Sequence, residues 1–390
     1  MARLQLSERQ TKVRATEPQL PSLRWYPGIS MIRYPGVSLA MFALLAASSL
    51  AVAQPKRKVI INEDCSGPGG SNMQTLAVMI QSPRVEVLGI TVVTGDAWRD
   101  EEVAHTLRLL EILGRTDIPV MAGAEFPLVR TREETRLWEQ RFGKVAYEGA
   151  WDDRWWHEHD VVPPLKEGQP AAKASMEDAA HFLVRMVREH PHEITIYEGG
   201  PMTNLALALS IDPQFAALAA GLVFMGGSLN PETDDPEFAS NPRHEFNFWF
   251  DPEAAHVVLR APWKTMVCTP TDISIKARLT PAMVKRIEAA GTPLARYVAR
   301  YYQPGAGNDY MWDELAAGAW IDPSVITKTE TRFMSVDIDH GAGYGNTLTW
   351  TTRDQPKVKV QPVRINVDLD HEKFSEMFVQ LMTAPTPKAR

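Results

Sequence analysis

Cysteine is nearly absent from this chain: Cys65 and Cys268 are the only two in 390 residues. That excludes a disulfide scaffold, and with no histidine recognisably placed beside either thiol, a cysteine nucleophile is not expected. A bridge between them is geometrically open, because each follows an apolar strand-like run, but two free thiols are the preferred reading. Basic charge is also scarce. The 41 Lys and Arg are outnumbered by 48 Asp and Glu, for a formal charge of −7. Without the clustered cations that a phosphate backbone requires, no nucleic-acid partner is expected. Repeats and low-complexity blocks are missing as well, which excludes repeat arrays and leaves an ordinary globular composition, long enough for a large core.

Long apolar runs are confined to one place. Residues 37–53, VSLAMFALLAASSLAVA, are too few for a comfortable membrane span and end in Ala51-Val52-Ala53 ahead of Gln54, the pattern of a secretory signal and its cleavage site. Residues 1–53 are therefore read as an N-terminal extension plus signal peptide, with Met31-Ile32-Arg33 as a brief positive n-region. Their removal takes away six basic and two acidic side chains and leaves −11. The mature protein is expected to be exported, periplasmic or secreted, with no stable membrane anchor. An uncleaved anchor is the competing reading, which the alanine content and the processing site disfavour.

Past the signal, residues 56–385 read as one α/β domain in which strand-like apolar runs alternate with helical patterns, the signature of a parallel sheet with crossover helices. Strands are expected at 59–61, 85–93, 118–121, 194–197, 222–225 and 265–268, and the tail 332–368 is strand-rich. Helices are expected at 75–80, 101–113 with Gly114 as its stop, 176–190, 202–209, after Asp251-Pro252, at 315–320 and at 371–382. Residues 126–169 break the rhythm with charges and tryptophans. They read as an insertion, helical at 131–142, of the kind that forms lids. Within it, His157 and His159 suit a surface turn better than a metal site.

The first strand ends in Asn62, Glu63 and Asp64, followed by a glycine-rich turn. In open α/β sheets ligands bind at the carboxyl ends of strands, so an acidic cluster there is a site candidate. A capped turn would produce the same residues. Asp313, at the head of a late helix, could likewise be an N-cap and nothing more.

The ordered blocks KRKVIINEDCSGPGG, SPRVEVLGITVVTGD, LRLLEILGRTDIPVMAGAEFPL, GGPMTNLALAL, LVFMGGS, HEFNFWFDPEAAHVVL and MWDELAAGAWIDP resemble those of the inosine-uridine preferring nucleoside hydrolases. The resemblance runs from about Lys56 to Met382. It implies an open, mostly parallel sheet flanked by helices, with a Rossmann-like core, and one Ca²⁺ held by oxygen ligands. In the family's opening motif, D-x-D-x-G-x-D-D, Asn62 stands at the first aspartate and Asp64 at the second, the proposed base and metal ligand. Ser71 and Asn72 fall on the closing pair, after about three extra residues in the turn. Asp313 matches the distal metal aspartate, and Gly199 the residue whose carbonyl ligates the ion. The implied ligand set is thus Asp64, Asn72, Gly199 and Asp313, with two full carboxylates where relatives have three.

For the substrate, a small nucleoside, the resemblance implies contacts from Glu245 and Asn247, from Asn241 although it lies two residues closer to Glu245 than the family spacing, and from Asp96. The implied reaction is hydrolysis of an N-glycosidic bond through an oxocarbenium-like transition state, with Asp64 taking a proton from the attacking water. Relatives place a histidine before the distal aspartate to protonate the leaving base. Here Trp312 stands there; it could stack on a purine or simply pack the core. The missing histidine and the altered Ser71-Asn72 pair keep open an alternative, a member that binds a ribosyl or sugar ligand without cleaving it or with altered specificity. A homo-oligomer is also implied by the resemblance.

Overall fold

A computed structural model describes residues 55–305 and 309–388; the expected signal peptide lies outside them. The strands in chain order are β1 (Arg57–Glu63), β2 (Val85–Val92), β3 (Val120–Ala122), β4 (Ile194–Glu198), β5 (Gly221–Met225), β6 (Met266–Thr269), β7 (Ile326–Val336), β8 (Thr347–Trp350) and β9 (Pro362–Leu369). They form one sheet in the order β3-β2-β1-β4-β5-β6-β9-β7-β8. All neighbours are parallel except β9-β7 and β7-β8, which close one edge antiparallel.

β1 is uniformly apolar from Val59 to Ile61 because both faces of the sheet are covered. The two-residue period still sorts its side chains. Val59 and Ile61 face the core formed with helices Ser71–Gln81, Arg99–Leu113, Trp312–Ile321 and His371–Thr383. Ile60 faces the other core, formed with Ala179–Glu189, Thr203–Ile211 and Pro252–Arg260. The chain builds β1, β2 and β3 in one direction, then returns to lay β4 on the free side of β1. This leaves a crevice between the ends of β1 and β4 where neighbouring crossovers diverge.

Local chemistry sets the helix limits. Asp178 and Asp251 each accept a hydrogen bond from a backbone N–H of the helix that follows, so the expected helix 176–190 begins at Ala179. Gly114, at φ +66°, ends Arg99–Leu113. Asp313 is no N-cap: Met311 occupies that position and Asp313 lies inside the first turn of Trp312–Ile321. The E-F-N block leads into a helix, Phe246–Phe250, capped by Glu245. Both cysteines are buried and free.

Candidate active site

The end of β1 is a polar core. Asn62 is fully engaged: its Nδ2 donates to Glu198 Oε1 at 2.8 Å, and its Oδ1 accepts from Thr91 and Asn204 at 2.7 Å each. It ties β1 to β2 and β4 and has no oxygen lone pair turned to the crevice. Asp64 crosses the crevice floor, where Gly95 and Gly200 lack the side chains that would strike it. Its Oδ1 accepts from Asn72 Nδ2 at 3.0 Å and its Oδ2 from the Asp96 backbone N–H at 3.1 Å. Asn72 Nδ2 donates also to Asp96 Oδ2 at 3.1 Å. One amide group thus bridges two carboxylates.

Asp313 enters from the opposite side. Ser71, the first residue of Ser71–Gln81, accepts from the Asp313 backbone N–H at 2.9 Å and donates its hydroxyl to Glu314, joining two helix N-termini. The Tyr197 hydroxyl donates to the Asp313 carbonyl at 2.9 Å. Burial pushes the carboxyls of Glu63, Asp64 and Asp313 well above their usual range and raises Asp96. Repulsion within the group adds to this: Asp313 acts most strongly on Glu63, Asp96 on Asp64, and Glu314 on Asp313. Hydrogen bonds from Tyr147 and Asn72 partly offset the shift at Asp96.

Among the described residues no three His, Cys, Asp or Glu side chains are drawn together as a ready-made metal cluster. What the site offers is buried oxygen without partners: Asn72 Oδ1, Asp313 Oδ1 and both carboxylate oxygens of Glu63. A buried carboxylate lacking partner and counter-charge is costly, so each such atom calls for a proton or a cation. Oxygens from carboxylate, amide and carbonyl groups are the donor set a hard divalent ion takes. The alternation of β1 turns Glu63 to the same face as Val59 and Ile61.

Glu245 and Asn247 close another wall. Glu245 accepts from the backbone N–H groups of Asn247 (2.8 Å), Phe248 (3.1 Å) and Gly227 (2.8 Å). Asn247 Nδ2 donates to the carbonyls of Gly199 (2.9 Å) and Met225 (3.3 Å). These bonds hold the helix start against the ends of β4 and β5. Asn241 instead hydrogen-bonds Asn346 Oδ1 at 3.2 Å, a contact between two loops outside the acidic network. Trp312 is half-buried with its ring 4.8 Å from Tyr310 and 5.5 Å from Phe238, which makes an aromatic wall beside Asp313.

The insertion roofs the site. Its helix, Arg132–Phe142, delivers Arg136 to Glu148 and to the Trp151 carbonyl, which fixes the following loop. Ala150 N–H donates to Gly95 O at 2.8 Å, and the Tyr147 hydroxyl donates to Asp96 Oδ1 at 2.8 Å. Gly149, at φ +56°, passes so close to Gly95 and Phe246 that a Cβ would overlap both. His157 and His159 pin the far end by pairing with Glu101 and Glu125. A surface cleft of about 560 Å³, bordered by Arg84, Asp370 and Lys373, shares no residue with this site.

Acids gathered at the switch point of a parallel sheet, beneath a tyrosine-bearing roof, define an α/β enzyme acting on a small polar ligand. The model of the inosine-uridine preferring nucleoside hydrolases matches residues 59–376. The pyrimidine-specific ribonucleoside hydrolase RihA of Salmonella arizonae is 27% identical over 329 residues, covering 81% of this chain and 96% of that protein. The inosine-uridine preferring nucleoside hydrolase of Leishmania major is 28% identical over 330 residues, covering 82% and 95%. Among solved structures, the plant nucleoside hydrolase PpNRh1 superposes with a TM-score of 0.68 at 24% identity, covering 85% of this chain and all of that one, a likeness of fold. The chain belongs to the inosine-uridine preferring nucleoside hydrolase family, and is an N-glycosyl hydrolase.

Proposed function

We propose that this enzyme cleaves ribonucleosides to free base and ribose with calcium as its resident ion, and that a purine is the favoured leaving group. The observation that carries the ion is the set of partnerless buried oxygens on Asn72 and Asp313. Asp64, Asn72 and Asp313 would hold it together with the Gly199 carbonyl, which keeps a second lone pair beside its bond to Asn247. Bound calcium supplies the positive charge that keeps these carboxylates ionised and makes a neighbouring water more acidic.

Asp64 takes the proton from the attacking water. Its two oxygens are fixed by Asn72 and by the Asp96 backbone, so the acceptor is oriented before substrate arrives. Glu245 and Asn247 face the ribose hydroxyls, and the carboxylates favour the positive charge that builds on the sugar. The roof, through Tyr147 and Gly149, keeps bulk water out. With an indole at residue 312 no side chain there donates a proton to the departing base; Trp312 stacks on it, which favours the larger, more basic purine ring.

Release of ribose from inosine, guanosine, adenosine, uridine and cytidine tests the reading. Purine ribosides should be hydrolysed fastest and chelator should stop the reaction. Binding without release from any of the five would leave a sugar-binding protein in its place. Export rests on the leader-like residues 37–53, and a secreted chain starting at Gln54 would support it.

A further inference from the structure

Of the thirteen large apolar side chains that stand exposed among the described residues, eight lie in the insertion 126–169. Its helix, Arg132–Phe142, is amphipathic in the inverted sense. Arg132, Thr135, Arg136 and Glu139, at helical spacing, form the side laid against the body, where the two arginines are spent on Asp153, Glu139 and Glu148. Leu137 points the other way and is 64% exposed, with Phe142 at 37%. A surface helix ordinarily buries its apolar stripe and leaves its charges to water. Here the polar side is consumed inside and the apolar side lies uncovered, which marks an interaction surface.

The charges along the outward stripe fit one counterpart. Glu134 and Arg141 flank Leu137, two helical turns or about 10 Å apart; both are exposed, and no ion pair engages either among the described residues. Trp138 borders the stripe, its ring 5.2 Å from Phe142 and its Nε1 tied to the Gly341 carbonyl at 2.8 Å. The order is acid, apolar, base. Turned about a two-fold axis between Leu137 and Trp138, the stripe meets its own complement, with each Glu134 opposite the partner's Arg141 and each Leu137 against the partner's Trp138. A parallel pairing would set Glu134 on Glu134. We propose that this face is the interface between two copies of this chain, with their Arg132–Phe142 helices packed antiparallel. An isologous contact of this kind needs only one self-complementary patch, and an aromatic and aliphatic centre rimmed by charge is the usual anatomy. The same helix delivers Arg136 to Glu148 and the Trp151 carbonyl, so the partner braces the roof of each active site from outside.

Sedimentation equilibrium of the purified protein tests it, and the wild type should be a dimer at micromolar concentration. Glu134→Arg and Arg141→Glu each set like charges face to face at both ends of the contact and should weaken the dimer by about tenfold or more. The double variant Glu134→Arg/Arg141→Glu exchanges the signs and should restore it. Only the antiparallel pairing gives that rescue. Leu137→Glu places a charge against the partner's Trp138 and should leave monomer at the same concentration. Circular dichroism checks the fold of each variant; should a reversal misfold, Leu137→Glu carries the test. A monomeric wild type, which would give the face to a different occupant, overturns the proposal, and so does a dimer that these substitutions leave unchanged. A double variant that stays dissociated overturns the antiparallel pairing.

Discussion

Replacing Asn72 by Asp probes the site from its centre. The wild-type amide donates to Asp64 Oδ1 at 3.0 Å and to Asp96 Oδ2 at 3.1 Å while its own oxygen stays free. An ionised aspartate cannot donate, so both bonds are lost and a further carboxylate is set against two existing ones. Hydrogen bonds to charged groups contribute roughly 1.5–3 kcal/mol each, so the metal-free variant should lose about 3–6 kcal/mol. For a chain of this size that corresponds to a fall of roughly 4–9 °C in unfolding temperature. With calcium the sign reverses, since the new carboxylate adds charge to the ligand set and should tighten binding by about tenfold. Unfolding followed by circular dichroism in chelator and in saturating calcium reads both effects. The reasoning is refuted if Asn72→Asp leaves the chelated protein unchanged, or if calcium restores none of the loss.

Asp64→Asn should lower kcat by about 10²–10⁴, the usual worth of a general base, with a smaller change in KM; steady-state kinetics on inosine would show it, and a kcat within threefold of wild type would contradict the assignment. Tyr147→Phe removes the roof's bond to Asp96 and should cost about tenfold in kcat/KM, one hydrogen bond to a charged acceptor. Amide exchange across 143–157 should quicken in the same variant, and unchanged exchange would argue that the roof is held by other contacts. His244 is buried, which pulls its pKa down to about 4, with Arg130 adding to the effect. Its unfolded imidazole gains a proton below about 6.5; the stability tied to the neutral ring is therefore complete above pH 6.5 and lost as pH falls toward 4. Between those limits His244→Gln should lose less unfolding temperature than wild type, and parallel curves would refute the sign.

Much of the architecture was legible because periodicity and punctuation agree. The β1 strand, the Gly114 stop and the Pro252 helix start follow from apolar spacing and backbone restrictions that act locally. Asp313 was legible as important but not as to position, because an aspartate at a helix start suits an N-cap and a first-turn site equally; only the packing of Ser71–Gln81 against Trp312–Ile321 distinguishes them. Tyr147 gave no signal: an aromatic in an aperiodic insertion acquires its partner, Asp96, only through the long-range docking of the roof. Asn62 stands at the motif's opening position in the sequence, whereas its hydrogen bonds make it a brace between three strands. Glu63 could have been singled out, since a charge in phase with two core residues conflicts with the pattern around it.

The most direct test is crystallographic. Anomalous scattering from crystals of the calcium-loaded protein with ribose should show one ion bounded by Asp64, Asn72 Oδ1, Gly199 O and Asp313, at roughly 2.3–2.6 Å from its oxygens, with the sugar hydroxyls beside it. An ion bound elsewhere, or ribose seated in this crevice with no ion near these residues, would contradict the account.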